Sequence, residues 1–180
     1  MFKMSAEPRR TRDGINIFPE EDFAGMHKAG ALASEILDQV KDLVFVGQTT
    51  AEIDKFIETK VDEAGATSAT IGYRGYQHAS CISVNHVVCH GIPSDKRLKE
   101  GDILNIDVTV IVDGWYGDTS RMYVAGKPSR KVERLLDVTH DSLMRAIDVV
   151  KPGNTFGDIG HAIQSYVEAE RMSVGRDFCG

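Results

Sequence analysis

Two aspartates, Asp107 and Asp118, lie in the stretch ILNIDVTVIVDGWYGDTSRMYV, residues 103–124, where an apolar strand pattern gives little reason for charge. Leu104, Ile106, Val108, Val110 and Val112 alternate at period two, the pattern of a half-buried β-strand. Asn105, Asp107 and Thr109 then share the opposite face. Asp113-Gly114 is a two-residue turn signal, because a type I′ turn needs positive φ at both central positions. That turn pairs Val112 with Trp115, Thr109 with Asp118 and Asp107 with Ser120. The two acids become diagonal neighbours, roughly 5–8 Å apart at the backbone, so their carboxylates can converge. Carboxylates this close do not both ionise readily without a cation between them. Paired oxygen donors suit a divalent metal; the alternative is an ordinary water-facing sheet surface.

A second polar cluster precedes the hairpin: GYRGYQHASCISVNHVVCHGIP, residues 72–93. His90 ends a strand-like run just before Gly91-Ile92-Pro93, a position that can present a side chain to a site. An imidazole there could bind a metal, donate a hydrogen bond or move a proton; a plain surface or core role is the alternative. Tyr73, Tyr76 and Cys81 could line a small apolar cavity suited to a thioether partner, or simply be core. His78 and His86 are read as surface or core residues. In LKEGDILNID, Gly101 supplies a turn, and Glu100 and Asp102 are expected to be solvated.

The elements that must position these residues follow from periodicity. EEDFAGMHKAGALASEILDQVKDLV, led by Pro19, reads as a long amphipathic helix from about Glu20 to Val44. A second helix starts at Thr49, with Glu52 at capping-box spacing. Two more are expected near Lys131–Val150 and Phe156–Arg171. Gly47, Thr49, Ile53, Ile57 and Val61 recur as Gly153, Thr155, Ile159, Ile163 and Val167, each 106 positions later. Apolar positions four apart are ordinary in helices; the added Gly-x-Thr lead-in points to a duplicated unit. The expected organisation is one domain: a tail over 1–16, a first pseudo-repeat over 17–128, and an incomplete second over 129–180. By the repeat, roughly 50 further residues of sheet would follow.

With 180 residues, 42 % hydrophobic and 27 % charged, the composition is that of an ordinary soluble globular chain. The net charge of −6 argues against a general nucleic-acid footprint. Cys81, Cys89 and Cys179 lack zinc-site spacing and read as reduced thiols in a cytoplasmic protein. MFKMSAEPRRTRDG is basic but is followed by no apolar run of a secretory signal; it reads as a solvated tail, with an RNA- or ribosome-facing arm as the alternative. No stretch is long and apolar enough for a membrane helix.

SCISVNHVVCHGIP, EGDILNIDVTVIVDGWYGDTSRMYVAGKPS and SVGRDFCG closely resemble bacterial type I methionine aminopeptidases, with similarity from about residue 17 onward. The resemblance implies the pita-bread α/β fold: a curved, mainly antiparallel sheet covered by helices, with two pseudo-symmetric halves. It implies that Asp107 and Asp118 bind a pair of divalent ions (iron, manganese, cobalt or zinc), the second acid bridging both. It implies that His90 hydrogen-bonds the substrate near the scissile bond. It places Tyr73, Tyr76 and Cys81 in the pocket for the methionine side chain, and Asn85 and Val87 at a monovalent cation, sodium or potassium.

The implied function is metal-dependent removal of the N-terminal methionine from nascent proteins in the cytoplasm. The expected partners are N-terminal peptides and the ribosome, with no specific nucleic acid, no membrane and a monomeric complete protein. The family's remaining ligands are a histidine directly after Cys179-Gly180 and two later glutamates, which these 180 residues do not contain. The chain alone is therefore expected to be inactive. The competing expectation is a non-catalytic peptide- or ribosome-binding module built on the same fold.

Overall fold

The computed structural model describes residues 9–176. It divides into two compact units, Met1–Lys127 and Pro128–Gly180.

The first unit is built on the expected hairpin. Strands β5 (Ile103–Val112) and β6 (Trp115–Val124) pair antiparallel through Asp113 and Gly114, whose φ values are +51° and +86°. The register pairs Val112 with Trp115, Thr109 with Asp118 and Asp107 with Ser120, as the turn chemistry requires. On its other edge β5 pairs with β3 (Thr67–Ser68) and β4 (Ser80–Val84), again antiparallel.

Leu104, Ile106, Val108 and Val110 are fully buried, whereas Asn105, Asp107 and Thr109 alternate with them on the half-buried face. Helix α1 (Phe23–Val40) crosses β5 and β6 on the apolar side and buries Ala29, Ala33, Ile36, Leu37 and Val40. Its close approach depends on Gly117, where a Cβ would lie 2.2 Å from the carbonyl oxygen of Ala29. Helix α2 (Thr50–Glu63) packs on β3 and β4 through Ile53, Ile57 and Val61. The helix expected from Glu20 to Val44 is thus shorter. Short 3-10 turns at Glu20–Asp22 and Lys41–Leu43 replace its ends.

The N-terminal segment departs from a plain tail. Strands β1 (Arg9–Arg10) and β2 (Asn16–Ile17) form an exposed antiparallel ribbon. Thr11 closes it, its backbone bonding to Ile15 and Gly14 and its hydroxyl accepting from the Ile15 amide at 3.1 Å. Strands of two residues are too short to leave a periodic signal, and Asp13-Gly14 is the one local mark of the turn. Residues 1–8, and the Cys179-Gly180 pair, lie outside the described residues.

The second unit comprises α3 (Arg130–Asp148) and α4 (Phe156–Ala169). Its inter-helix lead-in repeats the local geometry of the first unit. Gly47 and Gly153 have φ of +96° and +95°. The Thr49 amide and hydroxyl donate to the Glu52 carboxylate at 3.0 and 2.7 Å; those of Thr155 donate to Asp158 at 2.6 and 2.8 Å. None of the described helices is long and apolar enough to cross a membrane.

Candidate active site

Asp107 stands at the middle of a cross-strand row, with Cys81 opposite it on β4 and Ser120 opposite it on β6. Asp118, two residues before Ser120, is its diagonal neighbour and is exposed. Burial pushes the Asp107 carboxyl above the ordinary range, and the charge of Asp118 and a hydrogen bond with it push in the same direction. His90 pulls the other way. The three side chains therefore share one electrostatic neighbourhood, brought together from two strands and a loop.

The His90 loop is fixed by its neighbour. Gly91 accepts from the Ile82 amide through its carbonyl at 2.8 Å, and its own amide donates to the Ser83 hydroxyl at 3.0 Å. A Cβ on Gly91 would lie 2.2 Å from the Ile82 carbonyl oxygen, so only glycine allows the loop to run this close to β4. His90 itself adopts φ +52°, a left-handed conformation uncommon for a side-chain-bearing residue. Two anchored neighbours on β4 hold the loop that presents it.

Tyr76 and Cys81 come together. Burial raises both side chains' pKa values, and their interaction with each other raises that of the tyrosine further while opposing the rise of the thiol. The Tyr76 hydroxyl also lies within donating distance, 2.8 Å, of the Ser80 carbonyl. Tyr73 is not gathered in: it is 64 % exposed on a 3-10 turn, with the Arg74 guanidinium 5.5 Å from its ring centroid. Cys81 and Cys89 are free thiols.

Asn85 takes φ +57° directly after β4. Its side chain donates to Asp102 at 2.8 Å and accepts from the Ile103 amide at 3.1 Å. Val87 donates its amide to the Val84 carbonyl in the same turn. Asp102 is consequently more than a solvated turn residue: it also accepts from the Lys99 amide at 2.9 Å. Burial opposes its ionisation, but these bonds and nearby lysines outweigh it and leave its pKa lowered. Glu100 likewise accepts from the Lys127 amide. Such clamps escape a reading of local composition because their partners are set by the return of the chain.

Two residues were unmarked in the sequence for the same reason. Asp54, on α2, is 6 % exposed and accepts from the Ser80 amide and hydroxyl at 2.9 and 2.7 Å. His78, read as surface or core, places Nδ1 3.0 Å from the other Asp54 oxygen. His86 is an exposed turn residue.

The donor set fits part of a divalent-metal site. Two carboxylates set diagonally on one sheet face are oxygen donors suited to a divalent cation, and the His90 imidazole shares their neighbourhood. No group of three or more His, Cys, Asp or Glu side chains is gathered to hold a metal among the described residues.

A helix-backed antiparallel sheet whose open face carries paired acids has the form of half of a pita-bread domain. Residues 24–180 match metallopeptidase family M24, and the chain belongs to that family. It is 51 % identical to the methionine aminopeptidase of Rickettsia prowazekii over 166 residues, covering 92 % of this chain and 64 % of that protein. It is also 51 % identical to the methionine aminopeptidase of Escherichia coli K12 over 168 residues, with the same coverage. The crystal structure of the Rickettsia prowazekii methionine aminopeptidase superposes with a TM-score of 0.89, covering 91 % of this chain and 66 % of that one. The chain thus spans about 64 % of the length of the curated relatives it matches.

Proposed function

We propose that this chain carries the substrate-pocket half of a metal-dependent methionine aminopeptidase, with one pseudo-repeat over 17–128 and part of a second over 129–180. Asp107 and Asp118 hold divalent metal, of which iron, manganese, cobalt and zinc are all compatible with carboxylate and imidazole donors. When bound, such ions supply Lewis acidity for hydrolysis of the first peptide bond. His90 donates a hydrogen bond to the substrate beside that bond. Tyr76 and Cys81 line the pocket for the methionine side chain, and the backbone at Asn85 and Val87 takes a sodium or potassium ion. The substrates are N-terminal peptides of nascent proteins, met in the cytoplasm at the ribosome, and the complete protein is a monomer.

The observation that carries this reading is the pairing of Asp107 with Asp118 beside His90, on the sheet face that also bears Cys81. A two-carboxylate shell binds metal weakly, and among the described residues no third acid joins it to serve as a base. The 180-residue polypeptide by itself is therefore expected to be inactive. A homogeneous, host-enzyme-free sample incubated with a Met-Ala-Ser peptide and each of the four metals should release no methionine; measurable release overturns the expected inactivity. Peptide capture with and without a chelator tests the site reading. Capture that needs metal supports it, and capture indifferent to metal favours a non-catalytic peptide-binding module.

A further inference from the structure

Asp54 is a buried carboxylate outside the proposed chemistry, and it is fully engaged. Oδ1 takes both donors of Ser80, and Oδ2 takes Nδ1–H of His78, since a carboxylate can only accept. Ser80 is 0 % exposed and immediately precedes Cys81.

The chain entering β4 is held at every step. The His78 carbonyl accepts from the Thr70 hydroxyl at 2.7 Å, the Ala79 carbonyl from the Ser68 hydroxyl at 3.4 Å, and the Ser80 carbonyl from the Tyr76 hydroxyl at 2.8 Å. Three successive carbonyls are thus bound by three side-chain hydroxyls, while the next link back to α2 is a carboxylate. The rings of Tyr76 and His78 also meet edge to face, with centroids 5.5 Å apart.

A buried acid is a costly way to tie a helix to a strand, because apolar packing of the same volume is often as stable. What an acid with two bonded oxygens adds is orientation. A functional side chain needs a supporting layer whose own rotamers are locked.

We propose that Asp54 is a positioning residue for the thioether pocket: by holding Ser80 and His78 it fixes, from α2, the segment that carries Tyr76 and Cys81. This rests on the pocket reading given above for Tyr76 and Cys81. The pocket wall is set by a helix residue that touches no substrate.

The test is site-resolved alkylation of the full chain by iodoacetamide at neutral pH, well below the unfolding temperature, read by peptide mass spectrometry. Cys89, which has no bond to the Asp54 network, is the internal reference. Asp54→Asn should raise the Cys81 to Cys89 rate ratio by about threefold, because the loosened segment exposes a thiol now shielded by burial. Urea unfolding of each variant gives its global stability, and the share of either rate that passes through global unfolding is subtracted before the ratio is taken. Where Asp54→Asn does not fold, Ser80→Ala removes one of the same bonds and should move the ratio in the same direction. An unchanged ratio in a folded variant overturns the positioning role. A parallel arm adds L-methioninamide: it should slow Cys81 alkylation in the wild type and less so in the variant. No protection in the wild type would remove the pocket reading, while the alkylation comparison still decides whether Asp54 positions the segment.

Discussion

Cys81 lies directly across the β4–β5 ladder from Asp107, on the sheet face opposite the one that α1 covers. The rung joins two features that chemistry would treat separately: a soft, half-buried thiol beside Tyr76, and an acid coupled to Asp118 and His90. In a strand, neighbours across one face are about 5 Å apart. A side chain resting against Cys81 would therefore place its own backbone beside the carboxylate pair. Under the proposed function, the β4–β5 ladder would set the distance between the methionine pocket and the bond to be cleaved.

Gly91→Ala should be among the most damaging single-methyl additions in the first unit. Its Cβ meets backbone on β4, at 2.2 Å from one atom and 2.8 Å from two others, and backbone cannot rotate aside. A cost of about 1–3 kcal/mol is expected, with the His90 loop displaced. Thermal unfolding and the His90 imidazole resonances in NMR check both parts; a variant with wild-type stability and an unmoved His90 contradicts the clamp.

The hairpin was legible in the sequence because two independent signals agree there. Period-two alternation assigns the faces, and Asp113-Gly114 fixes the register, so the diagonal placing of Asp107 and Asp118 follows by counting. The supports of the site were not legible. Asp54 lies beside Ile53 on α2, where helical periodicity marks core, and its partners Ser80 and His78 are 26 and 24 residues away. Asp102 finds Asn85 at a separation of 17 residues. Long-range polar ties leave no periodic trace, because each needs one acceptor at one place.

A pair of glycines on the α1–β6 contact should respond in opposite directions. Gly117→Ala puts a methyl 2.2 Å from the Ala29 carbonyl oxygen and 2.3 Å from its carbon, forcing helix and strand apart. A loss of about 1–3 kcal/mol is expected. Gly30 lies in the same helix with nothing within 4 Å of its added Cβ. Gly30→Ala should stabilise by about 0.5–1 kcal/mol, through the restricted unfolded chain. Urea unfolding of both variants tests the contrast, and equal shifts would argue against the close approach.

Asp102 gives the acid limb of the stability profile a defined contribution. Its pKa is lowered in the folded state, chiefly by the Asn85 and Lys99 bonds that overcome the effect of burial. A depressed carboxyl pKa stabilises above the unfolded value and loses that contribution as pH falls through the folded one. Asp102→Asn should therefore lower stability at neutral pH by about 1 kcal/mol and narrow its difference from wild type below pH 4 or so. Denaturant titrations at several pH values measure this; a difference independent of pH would contradict the assignment.

Asp107 carries the opposite sign. Its pKa is raised, first by burial and then by Asp118, so the folded protein holds the proton more tightly than the unfolded chain. In metal-free protein the acid costs nothing below the unfolded value. It becomes destabilising as pH rises through the folded value, because a half-buried charge then faces Asp118. Asp107→Asn should accordingly stabilise the metal-free chain at neutral pH, by on the order of 1 kcal/mol or less once solvent screening is allowed for. The gain should shrink toward pH 4, near the carboxyl's ordinary range. Manganese at millimolar concentration should reverse the order: the wild type gains stability from a cation that relieves the repulsion, and the variant does not. Thermal melts across pH, with and without the metal, read all three effects. A variant that gains as much from manganese as the wild type does would place the cation elsewhere and separate the carboxylate pair from metal binding.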